Sequence, residues 1–181
     1  KGDATMKRLL AEGAIGTPHE AILHGMNGAW LDPEAPAHWR QRVEISGLQV
    51  LTFGIYVEVI QRWLGDIVAV QAAGRVVHET RQGYAVDIPD FMHVLCSFRN
   101  GTRGSFVFSG VASHPPRDGV EIYGTEGTLA YDFTSDEILD DAVDGLQFEY
   151  LLADGRIVDL PADPQAVRGV RLSLLVRDLR P

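Results

Sequence analysis

The sequence predicts an α+β fold, in which a predominantly antiparallel sheet of about six to eight strands has one open face and one face covered by helices. From Ile67 onward, short apolar runs of strand type alternate with turn-forming residues such as Asn100-Gly101, a pattern typical of hairpins. Ahead of them, Leu48–Leu64 has helical spacing of apolar residues. Because a hairpin-connected sheet usually packs one face on helices, we expect this helix to cover the sheet.

The N-terminal region predicts a short helix, a strand and a loop. Asp3 can cap a helix that runs to Glu12 and that Gly13 ends. Ile22–Trp30 contains no helical stripe and is predicted to be a strand, whereas the prolines within Asp32–His38 predict a loop.

The segment Leu48–Leu64 is predicted to be the one long helix of the middle of the chain, and Gly65 would end it. Apolar residues fall on most of its faces, which predicts a helix that is largely enclosed.

The remainder of the chain predicts short strands separated by turns. The turns are expected at Arg99–Gly101, Gly124–Gly127 and Ala153–Gly155. Joined by hairpins, consecutive strands would form an antiparallel meander. The predicted strands are Ile67–His78, Phe91–Phe98, Gly104–Val111, Val120–Tyr123, Thr128–Phe133, Leu146–Leu152 and Arg156–Leu160.

The last segment, Pro164–Leu179, is predicted to be a further helix. Because helical segments stand near both ends and the chain starts at Lys1 rather than Met, we expect residues 1–181 to form a single domain cut from a longer protein. A cytoplasmic location is the expectation, although a signal peptide could precede such a fragment.

Composition excludes several classes of protein. The 16 Lys and Arg residues against 25 Asp and Glu residues give a formal charge of −9, and the basic residues are scattered, so nucleic acid is not expected as a partner. No apolar run approaches the roughly 18 residues that cross a bilayer, so no membrane partner is expected either. With Cys96 as its one cysteine, the chain cannot form an internal disulfide. A soluble enzyme domain and a soluble binding domain remain.

Familiar cofactor and metal motifs are absent from the sequence. No G-x-G-x-x-G or Walker glycine-lysine loop occurs, so we expect no nucleotide site in this chain. His19 and His24 lie five residues apart, on opposite faces of a strand, and do not predict a metal site. The acidic stretch from Asp136 to Asp144 lacks the spacing of a calcium loop and is predicted to be a solvated turn. Cys96 is expected to be a buried, inert thiol.

A series of short motifs, in order along nearly the whole chain, resembles the C-terminal domain of the glucose-fructose oxidoreductase, inositol dehydrogenase and rhizopine-catabolism (Gfo/Idh/MocA) oxidoreductases. Each motif alone is weak, and their order carries the resemblance. They are Leu9–Gly16, Trp39-Arg40, Ser46–Glu58, Arg62–Gly65, Phe98–Gly104 and Ile122–Leu129.

The resemblance implies a glyceraldehyde-3-phosphate dehydrogenase-like C-terminal domain whose partner, a Rossmann domain holding NAD or NADP, is absent from this chain. Such proteins move a hydride between the nicotinamide and a sugar or polyol, and they often self-associate through the open sheet face. The family's helix carries Asp-x-Gly-x-His or Asp-x-Gly-x-Tyr, which places its catalytic pair on Thr52 and Tyr56 here. Thr52 departs from the family's aspartate, so a non-catalytic binding or assembly domain stays as the alternative function.

Residue chemistry is compatible with a site on that helix. Thr52 and Tyr56 are four apart and would lie on one face, and Gly54 between them would let a ligand approach the backbone. A tyrosine can exchange a proton with a substrate hydroxyl if a nearby cation lowers its pKa, and we expect the Rossmann domain to supply that cation. The alternative is a core tyrosine with a hydrogen-bonded hydroxyl.

Three further residues are candidates for contact with the substrate. Arg40 could bind an anionic or hydroxyl-rich substrate or form a structural ion pair. Trp39 could stack on a ligand, although packing is the commoner role of such a residue. His114, in the loop His114-Pro115-Pro116, could reach a substrate or simply lie on the surface.

Overall fold

The computed structural model describes residues 2–116, 118–140, 143–152, 157–158 and 167–176. The chain divides into two compact units, residues 1–139 and residues 140–181. The first unit contains the helices and a seven-stranded sheet, and the second contains a three-stranded sheet. The prediction that residues 1–181 are one domain of a longer protein stays a prediction.

Three α-helices lie in the first unit: α1 (Gly2–Ala11), α2 (Val43–Ser46) and α3 (Phe53–Leu64). Helix α1 confirms the prediction for the N-terminus within one residue at each end. None of the helices in the described part of the chain is long and apolar enough to cross a membrane.

Helix α3 begins five residues later than predicted. Gly47 and Leu51 have φ angles of 63° and 48°, and a residue in this left-handed region cannot continue a right-handed helix. The prediction of an enclosed helix was also wrong, since Ile55 is 49% exposed, whereas Ile60, Trp63 and Leu64 are buried. The helix therefore packs along one side and exposes the side that carries Ile55.

Strands make up most of the regular structure in the described residues. The predicted strand Phe91–Phe98 is confirmed at both ends, and the hairpins predicted at the turns Arg99–Gly101 and Gly124–Gly127 are confirmed. A short hairpin that pairs Thr80–Arg81 with Tyr84–Ala85 was not predicted. The strands are β1 (Pro18–Met26), β2 (Ile67–Arg75), β3 (Thr80–Arg81), β4 (Tyr84–Ala85), β5 (Phe91–Phe98), β6 (Arg103–Ser109), β7 (Gly119–Gly124), β8 (Thr128–Asp132), β9 (Glu137–Asp140), β10 (Val143–Leu152), β11 (Ile157–Val158) and β12 (Val167–Val176).

The large sheet is mixed rather than a simple meander. Its order is β2-β5-β6-β1-β7-β8-β9, and β1 runs parallel to β6 but antiparallel to β7. The pairs β2–β5, β5–β6 and β7–β8 are antiparallel, so the predicted fold class is confirmed. The meander prediction failed because nothing in the sequence near β1 shows that it pairs with strands far along the chain.

Strand β1 also ends earlier than the predicted Ile22–Trp30. Beyond Met26 the chain leaves the strand in a turn across the end of β6. The Asn27 N–H donates to the Ser109 carbonyl at 2.7 Å, and the Trp30 N–H donates to the Gly110 carbonyl at 2.8 Å. This turn forms one wall of the candidate site below.

The register gives the sheet one covered face and one open face. On the covered face, Val94, Phe106, Leu23 and Val120 form a row of buried side chains across four strands. The next row, which faces the other way, contains Leu95, Ser105, Ile22 and Glu121. Leu95 there is 58% exposed, which confirms the predicted open face.

In the second unit, β10 pairs antiparallel with β11 and with β12. The predicted helix Pro164–Leu179 was wrong, because Val167–Val176 is strand β12. Val170, Leu172, Leu174 and Val176 alternate with Gly or polar residues up to Ser173, which is strand periodicity. The predicted turn Ala153–Gly155 lies outside the described residues.

The acidic stretch was predicted to be a solvated turn, and this was correct only at its start. Asp136 has a positive φ of 58° and is exposed. Glu137–Asp140 then forms strand β9, and residues 141 and 142 lie outside the described part of the chain.

Candidate functional site

A cavity of about 490 Å³ lies beside the N-terminal end of α3, within the size range of small-molecule sites. Its walls come from the turn after β1, the loop that follows, the residues before α3 and strand β3. The lining residues are Asn27, Ala29, Trp30, Ala35, Pro36, Ala37, His38, Arg40, Leu51, Thr52 and Arg81.

A 3-10 turn, Trp39–Gln41, holds one wall of the cavity. His38 caps it: its Nδ1 accepts the Arg40 N–H at 3.2 Å, and the Gln41 side chain accepts the His38 N–H at 3.0 Å. Gln41 is buried and donates from Nε2 to Asp90 at 2.9 Å. Asp90 also accepts the N–H groups of Val77 and His78, so the turn is anchored to a fully buried carboxylate.

His38 carries a neutral imidazole over a wider pH range than a free histidine. Burial lowers its pKa, and the positive charge of Arg40 lowers it further. Since Nδ1 accepts a hydrogen bond, a neutral His38 has its proton on Nε2 and offers one donor.

Arg40 lies over the Trp39 indole, with the guanidinium carbon 4.0 Å from the ring centroid. Its Nε donates to the Leu51 carbonyl at 3.1 Å. The alternative role of Arg40, a structural ion pair, is not seen: no carboxylate in the described part of the chain pairs with it. Trp39 is 47% exposed and supports Arg40 without lining the cavity.

Arg81 is a cavity residue that the sequence analysis missed. It is 1% exposed, and its two terminal nitrogens donate to the carbonyls of Asp32 and Trp30 at 2.7 and 2.5 Å. Its Nε has no partner. No local pattern could have found it, because both partners lie about 50 residues earlier in the chain.

The structure brings Thr52 and Tyr56 together as predicted, although Thr52 caps α3 rather than lying within it. The Tyr56 N–H donates to the Thr52 carbonyl at 3.2 Å. Thr52 lines the cavity, but Tyr56 does not. Gly54 between them is exposed, and an added Cβ would meet only the Gln49 side chain at ordinary contact distance.

The Tyr56 ring lies half-buried between α3 and the covered face of the sheet. It stacks on Phe133 with centroids 4.1 Å apart and planes 6° from parallel, and it also contacts Phe108. Its hydroxyl donates to Asp118 at 3.0 Å, and the other Asp118 oxygen accepts the Met26 N–H at 2.8 Å.

Asp118 raises rather than lowers the pKa of Tyr56. Burial is the largest cause, the charge and hydrogen bond of Asp118 follow, and together they raise the pKa to about 12. The cation that the sequence analysis invoked is not among these causes. Asp118 was also missed by sequence reasoning, because an aspartate before a strand has no distinguishing pattern.

His114 lies in an exposed bend and does not line the cavity. In the described part of the chain, no group of three or more His, Cys, Asp or Glu side chains could hold a metal ion. Of the predicted site residues, the structure therefore gathers Arg40 and Thr52 in the cavity, with Trp39 and Tyr56 beside it.

Together, the half-covered mixed sheet and the flanking helices form an α+β domain of the glyceraldehyde-3-phosphate dehydrogenase-like C-terminal type. Residues 4–130 match the sequence model of the GFO/IDH/MocA C-terminal domain. The chain belongs to this family, as the motifs indicated.

Solved structures of similar fold are oxidoreductases. Levoglucosan dehydrogenase in complex with NADH and levoglucosan matches with a TM-score of 0.69 and 21% identity over 96% of this chain and 44% of that chain. An oxidoreductase domain protein from Kribbella flavida matches with a TM-score of 0.67 and 26% identity over 96% and 44%. The WlbA dehydrogenase from Chromobacterium violaceum, in complex with NADH and UDP-GlcNAcA, matches with a TM-score of 0.58 and 19% identity over 71% and 37%.

No curated protein matches the sequence. The chain spans less than half the length of the solved structures that it resembles.

Proposed function

We propose that this chain is the substrate-binding domain of an NAD(P)-dependent oxidoreductase that acts on a sugar, a polyol or a related hydroxy compound. The observation that carries the proposal is the cavity beside α3, which contains Thr52 and Arg40. Tyr56, one helical turn further on, donates its N–H to the Thr52 carbonyl. Family membership supports the reaction class, and the sequence predicts that the nucleotide itself is held by another domain.

The surface at the start of α3 suits the approach of a ring-shaped cofactor or a substrate. Gly54 has no side chain and is exposed, and no packing within the described residues requires a glycine there. When bound, a nicotinamide would supply or accept the hydride. The residues of this chain would orient the substrate and handle its proton.

Tyr56 and Asp118 form the pair that could move that proton. Because its pKa is raised to about 12, Tyr56 is protonated near neutral pH and is not a base by itself. It can act as a relay: the phenol accepts the proton of a substrate hydroxyl as it passes its own proton to the Asp118 carboxylate, and the reverse step serves carbonyl reduction. Thr52 would hydrogen-bond the substrate from the cavity side.

The proposal is tested on the longer protein by titration with NADH and NADPH, followed by turnover across sugars and polyols. Tyr56→Phe is expected to reduce kcat by about 10²–10⁴, the range for loss of acid–base help. Tyr131→Phe is the matched control, because Tyr131 also donates to an aspartate, Asp136, at 2.6 Å. Absence of nicotinamide binding rejects the proposal, and normal turnover by Tyr56→Phe rejects the relay.

A non-catalytic binding or assembly domain is the second candidate. The replacement of the family's aspartate by Thr52 favours it, and so does the raised pKa of Tyr56. Cofactor binding without turnover on any substrate of the panel would support this candidate. Measurable turnover would exclude it.

We also propose that copies of the chain associate through the open sheet face. Leu95 is exposed on β5, and Ile22 and Val107 are half-buried on the nearby strands β1 and β6. An exposed apolar surface of this kind suits an isologous interface. A cytoplasmic location stays a prediction from the sequence.

A further inference from the structure

The cavity beside α3 has a charge opposite to that of the chain. The sequence carries a formal charge of −9, yet the described residues that line the cavity include two arginines and a histidine and no carboxylate. The described lining of the cavity therefore contains two guanidinium groups and no acidic side chain.

Arg81 is a buried cation without a counter-ion. Its guanidinium is held only by the carbonyls of Trp30 and Asp32, and its Nε makes no hydrogen bond. No carboxylate in the described residues forms an ion pair with it. An isolated buried charge is unfavourable unless an opposite charge comes near, and at low dielectric its field reaches through the cavity wall.

Arg40 supplies the group that a ligand could touch. Its Nε donates to the Leu51 carbonyl and its guanidinium carbon lies over the Trp39 ring, whereas its two terminal nitrogens have no hydrogen-bond partner among the described residues. A guanidinium held by Nε, with its two terminal nitrogens left to donate, matches the two oxygens of a carboxylate or phosphate.

From these observations we infer that the cavity binds a polyhydroxy ligand through an anionic group, a carboxylate or a phosphate. Arg40 makes the contact, and the positive charge of the buried Arg81 adds to the attraction. The inference rests on the proposed function in treating this cavity as the substrate site. It narrows the substrate class from neutral sugars and polyols to sugar acids or sugar phosphates.

The test compares ligands of one shape and different charge. The full chain is titrated calorimetrically, without nicotinamide, with D-glucose, D-glucuronate and D-glucose 6-phosphate. We expect at least one of the two charged ligands to bind about tenfold or more tightly than glucose, because charge-assisted hydrogen bonds are roughly twice as strong as neutral ones. Tighter binding of the glucuronate assigns the site to a carboxylate, and tighter binding of the phosphate ester assigns it to a phosphate.

Three variants separate the roles of the arginines. Arg40→Gln is expected to abolish most of the preference for the charged ligand. Arg81→Met should weaken the preference, and Arg81→Lys, which keeps the charge, should retain much of it and serves if Arg81→Met fails to fold. Arg99→Gln is the matched control, since it removes the same charge from an exposed arginine paired with Asp66. The preference of this variant for the charged ligand over glucose should be unchanged.

Equal affinity for glucose and both charged ligands overturns the inference, and so does an undiminished preference in Arg40→Gln. Because no cofactor is present, the result is independent of the proposed reaction. A preference for the anion in a protein that binds no nicotinamide would leave the binding site standing and reject only the oxidoreductase.

Discussion

The two faces of the large sheet follow different rules, although neighbouring residues of the same strand supply both. On the covered face, Phe108 is fully buried, and an added Cβ on Gly25 would lie 2.7 Å from its ring. On the open face, Val107 of the same strand is half-buried and Leu95 is exposed. On the covered face, close packing limits which side chains fit. On the open face, side chains are limited mainly by their contact with solvent.

The contrast indicates that the covered face stabilises the unit and positions α3, whereas the open face is exposed for association. The covered face fixes the position of α3, and hence of Thr52 and Tyr56, because Tyr56 packs on Phe108. The open face does not touch these residues. Substitutions on the two faces should therefore separate folding from association.

The largest effect is expected for Phe108→Ala. Removing a fully buried ring from a packed face should lower the free energy of unfolding by about 3–5 kcal/mol. Val107→Ala is the control one residue away, on the open face. It should lower the free energy of unfolding by well under half as much. Urea denaturation measures both, and equal losses would contradict the contrast between the faces.

The next effect is expected for Gly104→Ala. The added Cβ would lie 2.4 Å from the Cys96 Sγ and 2.9 Å from the Phe106 ring, and overpacking of this kind costs about 1–3 kcal/mol. The variant Cys96→Ala makes room, so the double variant should lose less than the sum of the two single variants. Strict additivity in thermal unfolding would show that the sulfur is not the obstacle.

Tyr56→Phe tests the hydrogen bond at the rim of the covered face. Loss of the bond to Asp118 should lower stability by about 1 kcal/mol near neutral pH. Folding raises the pKa of this phenol from 10.0 to about 12, so the folded state holds its proton more tightly than the unfolded chain does. The contribution of this hydrogen bond to the free energy of unfolding is therefore intact below pH 10 and is lost as the pH rises toward about 12.

Unfolding of the wild type and of Tyr56→Phe at pH 8 and pH 11.5 measures this difference. The gap between the two proteins should narrow at the higher pH. Tyr131, whose pKa is also raised to about 12, is present in both proteins and cancels from the comparison. A gap that stays constant would show that folding does not raise the pKa of this phenol.

The smallest effect on stability, within about 0.5 kcal/mol, is expected for Leu95→Lys, because this side chain is exposed. Its effect on association should be large if the open face is an interface. Sedimentation should then show a smaller species than for the wild type. Val77→Lys, which changes an exposed residue outside the large sheet, should leave the assembly unchanged.

The regular elements were predictable where local pattern decides them. Strand β5 has an apolar run followed by the turn Asn100-Gly101, and both of its ends are confirmed. Helix α3 was placed on the right segment, but its start was not, because the left-handed conformation of Leu51 is imposed by tertiary packing rather than by residue type. Strand β12 was taken for a helix, although its alternation was visible in the sequence.

Long-range pairing explains what the sequence could not predict about the site. Thr52, Tyr56 and Arg40 were predicted as site residues because they lie in one short stretch that resembles a family motif. Asp118 and Arg81 were missed because their partners, Tyr56 in the first case and Trp30 and Asp32 in the second, are far away in sequence. Only the folded structure shows which of these polar groups contact each other.

The position of β1 also has a consequence for how the chain is made. This strand leaves the ribosome well before its neighbours β6 and β7, which begin only at Arg103 and Gly119. Such distant pairings slow folding, and both edges of β1 must wait unpaired during synthesis. A nascent chain stalled before Gly124 would thus expose Ile22 and Leu23 on an incomplete sheet, and it should be captured by chaperones or aggregate until the last partner strand emerges.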